Sequence, residues 1–168
     1  MHPINHIPEI RYFCFSETCY NTDIVFTQKF SKFYSVFTVS RDFTFCYGHR
    51  LLNYNGKCAH LHGHNGHVRI VLRSSELNKQ GMVLDFSELK NTVGKYLEDE
   101  LDHRTILQRN DPLVAVLQEF NEPLFLLDVP PTAENLAKLL FEKTAAMGFP
   151  VESVRFQETD KCGAEYRR

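Results

Sequence analysis

Residues 34–46, YSVFTVSRDFTFC, and residues 67–74, HVRIVLRS, decide how this chain folds. In the first stretch Phe37, Val39, Phe43 and Phe45 share one parity, as a half-buried strand requires. In the second, Val68, Ile70 and Leu72 fall on one face and Arg69 and Arg73 on the other. Two such strands flanking a loop rich in Asn, Gly and His predict an antiparallel pair. Their connection, residues 51–61, is longer than a tight hairpin.

Outward from this pair, GMVLDF (81–86) predicts a short strand. Asp85, followed three residues later by Glu88, has the form of a capping box. Phe86, Leu89, Val93, Tyr96, Leu97 and Leu101 then recur at helical spacing, so an amphipathic helix is expected over about 86–100. Asp111-Pro112 opens a short second helix, LVAVLQEF, with proline at its first helical position. LFLLD (124–128) reads as a short buried strand. A third helix starts after Pro130-Pro131, buries Leu136, Leu139, Leu140 and Phe141, and stops at Gly148, with Pro150 beyond. The last strand is VESVRFQE (151–158), with Val154, Phe156 and Glu158 on one face. The sum is an α+β domain: a four-stranded antiparallel sheet with two main helices on one face. Such a sheet leaves edges to be covered, and in so small a chain oligomerisation is the expected solution.

The 168 residues suit one domain, read over residues 34–168 and preceded by an N-terminal extension over 1–33 without sustained periodicity. Hydrophobic residues at 43% and charged residues at 24% exclude wholesale disorder. The charge sum, 19 − 21 = −2, argues against a basic nucleic-acid footprint or a polybasic membrane patch. No apolar run approaches the ~18 residues of a membrane span. The five cysteines match no disulfide framework, and the first residues lack the pattern of a secretory signal, so a cytoplasmic protein with reduced thiols is expected. Cys14 and Cys19, with His2 and His6, do not have convincing metal-ligand spacing.

Histidine is the anomaly: there are eight, five of them between His49 and His67. His62 and His64 form an H-x-H pair entering the second strand, and residues i and i+2 of a strand point to the same side. His60 shares that parity, so spacing alone leaves the choice of ligands open. His49 ends the first strand on the parity of Phe43 and Phe45, and pairing of the two strands would let it supply a third nitrogen. Three histidines with an open fourth position describe a catalytic zinc site, whereas structural sites usually have four ligands rich in Cys. His67 has the opposite parity and is expected to face away.

Three other features suggest chemistry. Cys58 lies in the loop four residues before His62. It is a fourth ligand, an inert buried thiol, or a thiolate base, since a cation lowers a thiol pKa. Asp102-His103 follows the first helix: an aspartate can fix a histidine's tautomer, although adjacent side chains seldom bond to each other, and a helix-terminal histidine is the simpler reading. Glu158 is a carboxylate on an apolar parity and needs a partner, either an arginine or the amidine edge of a purine-like or pterin ring.

The runs DFTFCYGHRL, KCAHLHGHN, GMVLDFSELK, LDHR, PTAEN and the closing ETD occur in an order that resembles the 6-pyruvoyl-tetrahydropterin synthase family over residues 37–168. Within it the nearest likeness is to bacterial 6-carboxy-5,6,7,8-tetrahydropterin synthases of queuosine biosynthesis, whose C-x3-H-G-H spacing is that of Cys58 to His62. A branch with Glu in place of this Cys does not fit. The resemblance implies a T-fold, or tunnelling fold, subunit in a homohexamer, a dimer of trimers with active sites at subunit interfaces. It implies zinc on His49, His62 and His64, and Cys58 as proton-abstracting thiolate. Asp102 and His103 would be an acid–base pair from a neighbouring subunit, and Glu158 and Thr132 would hold the pterin. The implied reaction converts 7,8-dihydroneopterin triphosphate to 6-carboxy-5,6,7,8-tetrahydropterin, releasing acetaldehyde and triphosphate. The alternatives are a 6-pyruvoyl-tetrahydropterin synthase, which stops after triphosphate elimination, and a non-catalytic zinc- or pterin-binding module. Cys46-Tyr47-Gly48 departs from the small-residue run the family places before its first histidine.

Overall fold

The structure, a computed structural model, describes residues 35–168; the extension read over 1–33, with Cys14, Cys19, His2 and His6, lies outside the described residues. The two deciding stretches form strands β1 (Phe37–His49) and β2 (His62–Ser74), paired antiparallel from Phe37–Ser74 to His49–His62. Their shared inward parity makes one face apolar. Phe45, Val68, Ile70 and Leu72 are buried there, while Asp42 and Arg69 pair across the other face at 2.7 and 2.8 Å.

Helix α1 covers the expected segment as Phe86–Leu89, a π-helical stretch Lys90–Gly94, and Lys95–Glu100. Asp85 caps it by accepting from Ser87 N at 2.8 Å. Then follow β3 (Arg104–Gln108), α2 (Leu113–Glu119), β4 (Leu124–Leu127), α3 (Ala133–Ala146), β5 (Val151–Thr159) and β6 (Cys162–Arg167). Leu89, Val93, Leu97 and Leu101 from α1 and Leu136, Ala137, Leu140 and Phe141 from α3 meet the apolar strand face in one core. Both main helices therefore cover one face, as expected, because only that face carries the apolar parity.

The sheet itself differs from the expectation. It has six strands in the order β4-β3-β1-β2-β5-β6, and β3 and β4 run parallel to β1 and to each other. GMVLDF is not a strand. Asn78 Oδ1 accepts from Gln80 N and Met82 N at 3.0 Å, Gly81 takes a positive φ of 79°, and Asp85 is spent as the cap, so the segment turns into α1. Conversely, CGAEYR carries little strand signal and becomes β6 only by pairing with β5.

Two contacts position the end of β1. Arg50 forms a two-pronged ion pair with the buried Asp111, whose carboxylate also accepts from Leu113 N at 2.8 Å at the start of α2. Gly66 lies opposite Phe45, and a Cβ there would stand 2.9 Å from Phe156 Cζ and 3.2 Å from Tyr47 Cε1. Gly66→Ala is therefore expected to cost about 1–3 kcal/mol through overpacking of these rings. Denaturant unfolding of the variant checks this, and wild-type stability would show that the rings can give way.

Candidate active site

The β1–β2 register puts His49 directly opposite His62, and the two-residue repeat brings His64 to the same side. One ring nitrogen from each lies within 4.8 Å of the others. Two rings have their Nδ1 atoms against carbonyl oxygens. His49 Nδ1 donates to Pro131 O at 2.8 Å, and His62 Nδ1 donates to His60 O at 2.8 Å; a carbonyl only accepts, so in the neutral ring it is Nε2 that carries the lone pair. His49 is 2% exposed, and burial holds its pKa below the ordinary histidine value, so it is neutral, as a ligand must be. Its Nε2 is buried without a hydrogen-bond partner. An orphaned imidazole lone pair converging with two more imidazoles is the donor set of a borderline divalent cation such as zinc.

The start of β2 separates His60 from the other three histidines. His60 precedes the strand, is exposed, and contributes its carbonyl rather than its ring. His67 faces the opposite side, as its parity required.

Cys58 sits in a 3₁₀ turn, Lys57–Ala59, tied to the end of β1 by Leu51 N donating to Cys58 O at 2.8 Å. It is half-buried. With His49, Thr132, Glu134, Glu158 and Cys162 it lines a hollow of about 360 Å³. Thr132 caps α3, its hydroxyl accepting from Asn135 N at 3.4 Å. The preceding Pro131 carbonyl orients His49, so the start of α3 borders both the histidine cluster and the hollow.

Among the described residues no arginine pairs with Glu158. Tyr47 donates its phenol to Glu158 Oε1 at 3.3 Å. Burial, and then the Glu158 charge, push the Tyr47 phenol well above its usual pKa, so it remains a donor. Sequence reading missed Tyr47, although its parity, that of Phe45 and His49, was a usable signal. Cys162 was missed because it belongs to the unforeseen strand β6.

Asp102 and His103 do bond to each other, at 2.7 Å between Asp102 Oδ2 and His103 Nδ1. The expectation against adjacent side chains fails here because His103 takes a φ of 57°, which turns its ring back toward Asp102. Both residues are anchored on Cys46: Cys46 N donates to Asp102 Oδ1 at 2.8 Å, and His103 N donates to Cys46 O at 2.7 Å. Burial raises the Asp102 pKa, but the Cys46 N–H and the His103 ring outweigh it, leaving the carboxyl below its ordinary value. The His103 side chain is 79% exposed. The pair borders a second hollow of about 370 Å³ with Thr44, Asn65 and His67, whereas Cys58 and Glu158 line the first.

Comparison with known proteins identifies the family. The model of the family described as 6-pyruvoyl tetrahydropterin synthase matches residues 38–168. A 6-carboxy-5,6,7,8-tetrahydropterin synthase of Haemophilus influenzae is 33% identical over 141 residues, covering 79% of this chain and 99% of the relative. Its counterpart from Aquifex aeolicus is 32% identical, covering 77% and 96%. Among solved structures, an uncharacterised protein of Wolinella succinogenes superposes with a TM-score of 0.69 at 29% identity, covering 80% of this chain and 99% of that one. The 6-pyruvoyl tetrahydropterin synthase of Caenorhabditis elegans gives 0.60 at 27% identity, covering 80% and 96%. With this match over nearly all the described residues, the chain is a T-fold protein and belongs to the 6-pyruvoyl tetrahydropterin synthase family of enzymes.

Proposed function

We propose that the chain is a 6-carboxy-5,6,7,8-tetrahydropterin synthase, taking 7,8-dihydroneopterin triphosphate and water to 6-carboxy-5,6,7,8-tetrahydropterin, acetaldehyde and triphosphate. The observation that carries this reading is the convergence of three imidazole nitrogens beside a hollow lined by a thiol and a carboxylate. The names of the Haemophilus and Aquifex relatives support the carboxy product. His49, His62 and His64 hold zinc, which when bound supplies Lewis acidity toward the substrate's side-chain hydroxyls and eases loss of the neighbouring protons.

The chain's own groups do the rest. Glu158 accepts from the ring N–H and amino group of the pterin's amidine edge, and Thr132 lies beside it. Cys58 removes a carbon-bound proton from the side chain. His103 transfers a proton at a side-chain hydroxyl, and Asp102 stabilises the imidazolium that forms. His103 acts on the site of a neighbouring subunit in a hexamer made of two trimers. No described helix is long and apolar enough to cross a membrane; the proposed reaction is a cytoplasmic step of queuosine precursor synthesis.

Incubation with dihydroneopterin triphosphate, with and without a chelator, tests the proposal by product identification. Acetaldehyde and a carboxypterin are expected, and chelation should stop both. A pyruvoyl pterin without acetaldehyde would assign the shorter reaction instead. Absence of triphosphate release would mark a binding module, and indifference to the chelator would sink the metal's role.

A further inference from the structure

We infer that Tyr47 is a positioning residue that keeps the Glu158 carboxylate off the metal and available to the substrate; this rests on the reading of Glu158 as the pterin anchor. Tyr47 is 4% exposed, with ring centroids 5.1 Å from His49, 5.8 Å from His64 and 5.7 Å from Phe156. Its seat exists because Gly66 has no side chain. The ring is thus wedged between the candidate metal ligands and the core, and its hydroxyl reaches Glu158 Oε1 at 3.3 Å.

That same oxygen lies 3.8 Å from His49 Nε2, the buried nitrogen without a hydrogen-bond partner. One carboxylate oxygen therefore stands between a phenol donor and the metal-binding nitrogens. A carboxylate is a competent zinc ligand, and a fourth protein ligand converts an open catalytic site into a closed structural one. The Glu158 side chain is 23% exposed and faces open space in the hollow, so packing alone does not hold it back. The Tyr47 hydrogen bond competes for the oxygen the metal would otherwise attract. It leaves Oε2 and the remaining Oε1 lone pair for a planar N–H and NH2 edge.

The test uses the full chain loaded with zinc or cobalt(II), as wild type, Tyr47→Phe, Glu158→Gln and the double variant. Tyr47→Phe keeps the ring and so keeps the packing; thermal unfolding of the metal-free forms verifies this. Three quantities are read: zinc loss to a competing chelator, the cobalt visible spectrum, and equilibrium binding of neopterin, which lacks the triphosphate. Tyr47→Phe is expected to hold zinc about tenfold more tightly, within the range by which outer-shell groups tune metal affinity. It should also shift the cobalt bands and bind neopterin about tenfold more weakly, since a bonded partner of the anchor is lost. The double variant should lose the extra zinc retention, because a neutral amide is a poor replacement ligand. Glu158→Gln alone should leave zinc retention unchanged.

Wild-type zinc retention and cobalt spectrum in Tyr47→Phe would overturn the inference. So would a loss of zinc in Glu158→Gln, which would show that Glu158 already ligates. Unchanged neopterin binding in Glu158→Gln would instead remove the anchor reading on its own, whatever Tyr47 does to the metal.

Discussion

Cys58→Ala is expected to lower turnover by about 10²–10⁴-fold, the usual worth of a positioned acid–base group, while zinc stays bound at one per chain. The expectation separates three roles for one thiol. A fourth metal ligand would be revealed by loss of zinc along with activity. An inert packing thiol would leave turnover unchanged. A proton acceptor removes rate and leaves metal. The geometry favours the last. Cys58 borders the hollow shared with His49 and Glu158, and it is not part of the three-nitrogen cluster. Its 3₁₀ turn is tied to the end of β1 through its backbone, so alanine should not disturb the turn. Metal analysis beside steady-state rates on the same sample makes the measurement.

Mixing two inactive variants, Cys58→Ala and His103→Ala, is expected to restore activity to about a quarter of wild type when subunits exchange at random across a heterologous interface. Each alone should be nearly dead. The reason is spatial: in one subunit the thiol and the Asp102–His103 pair border different hollows. An imidazole as exposed as that of His103 gains catalytic leverage only when another surface covers it and excludes water. The open sheet has edges at β4 and β6 that assembly can cover. A site completed by a neighbour is rescued in mixed assemblies, because some interfaces unite an intact Cys58 with an intact His103. If both groups act within one chain, no mixture recovers, and the interfacial arrangement is wrong.

Much of the site was legible because its signals are local. Strand parity alone put His62 and His64 on one side, and His49 was expected to join them if the two strands paired, as their register now has it. The start of α3 was legible from Pro130-Pro131, and its cap, Thr132, stood among the residues the family likeness singled out. Where a reading failed, either a local turn competed with the apolar pattern or a contact distant in sequence intervened. Asn78 and Asp85 turned an apolar run into a helix entry instead of a strand. A backbone bond from His103 to Cys46, 57 residues away, accompanies the positive φ that lets adjacent side chains meet.

The sequence by itself determined the elements whose periodicity is local: the two long strands, the main helices, and the H-x-H pair that shares a face. Family likeness then pointed to His49, His62 and His64, rather than His60, as the proposed ligands. Only the tertiary structure decided what depends on partners far along the chain. These are the parallel pair β3 and β4, the pairing that makes β6, the Tyr47 phenol on Glu158, and the separation of the Asp102–His103 pair from Cys58. The physical reason is common to all of them. A side chain's direction follows from its own backbone, whereas its partner is set by how whole elements pack, and no period in the sequence encodes that distance.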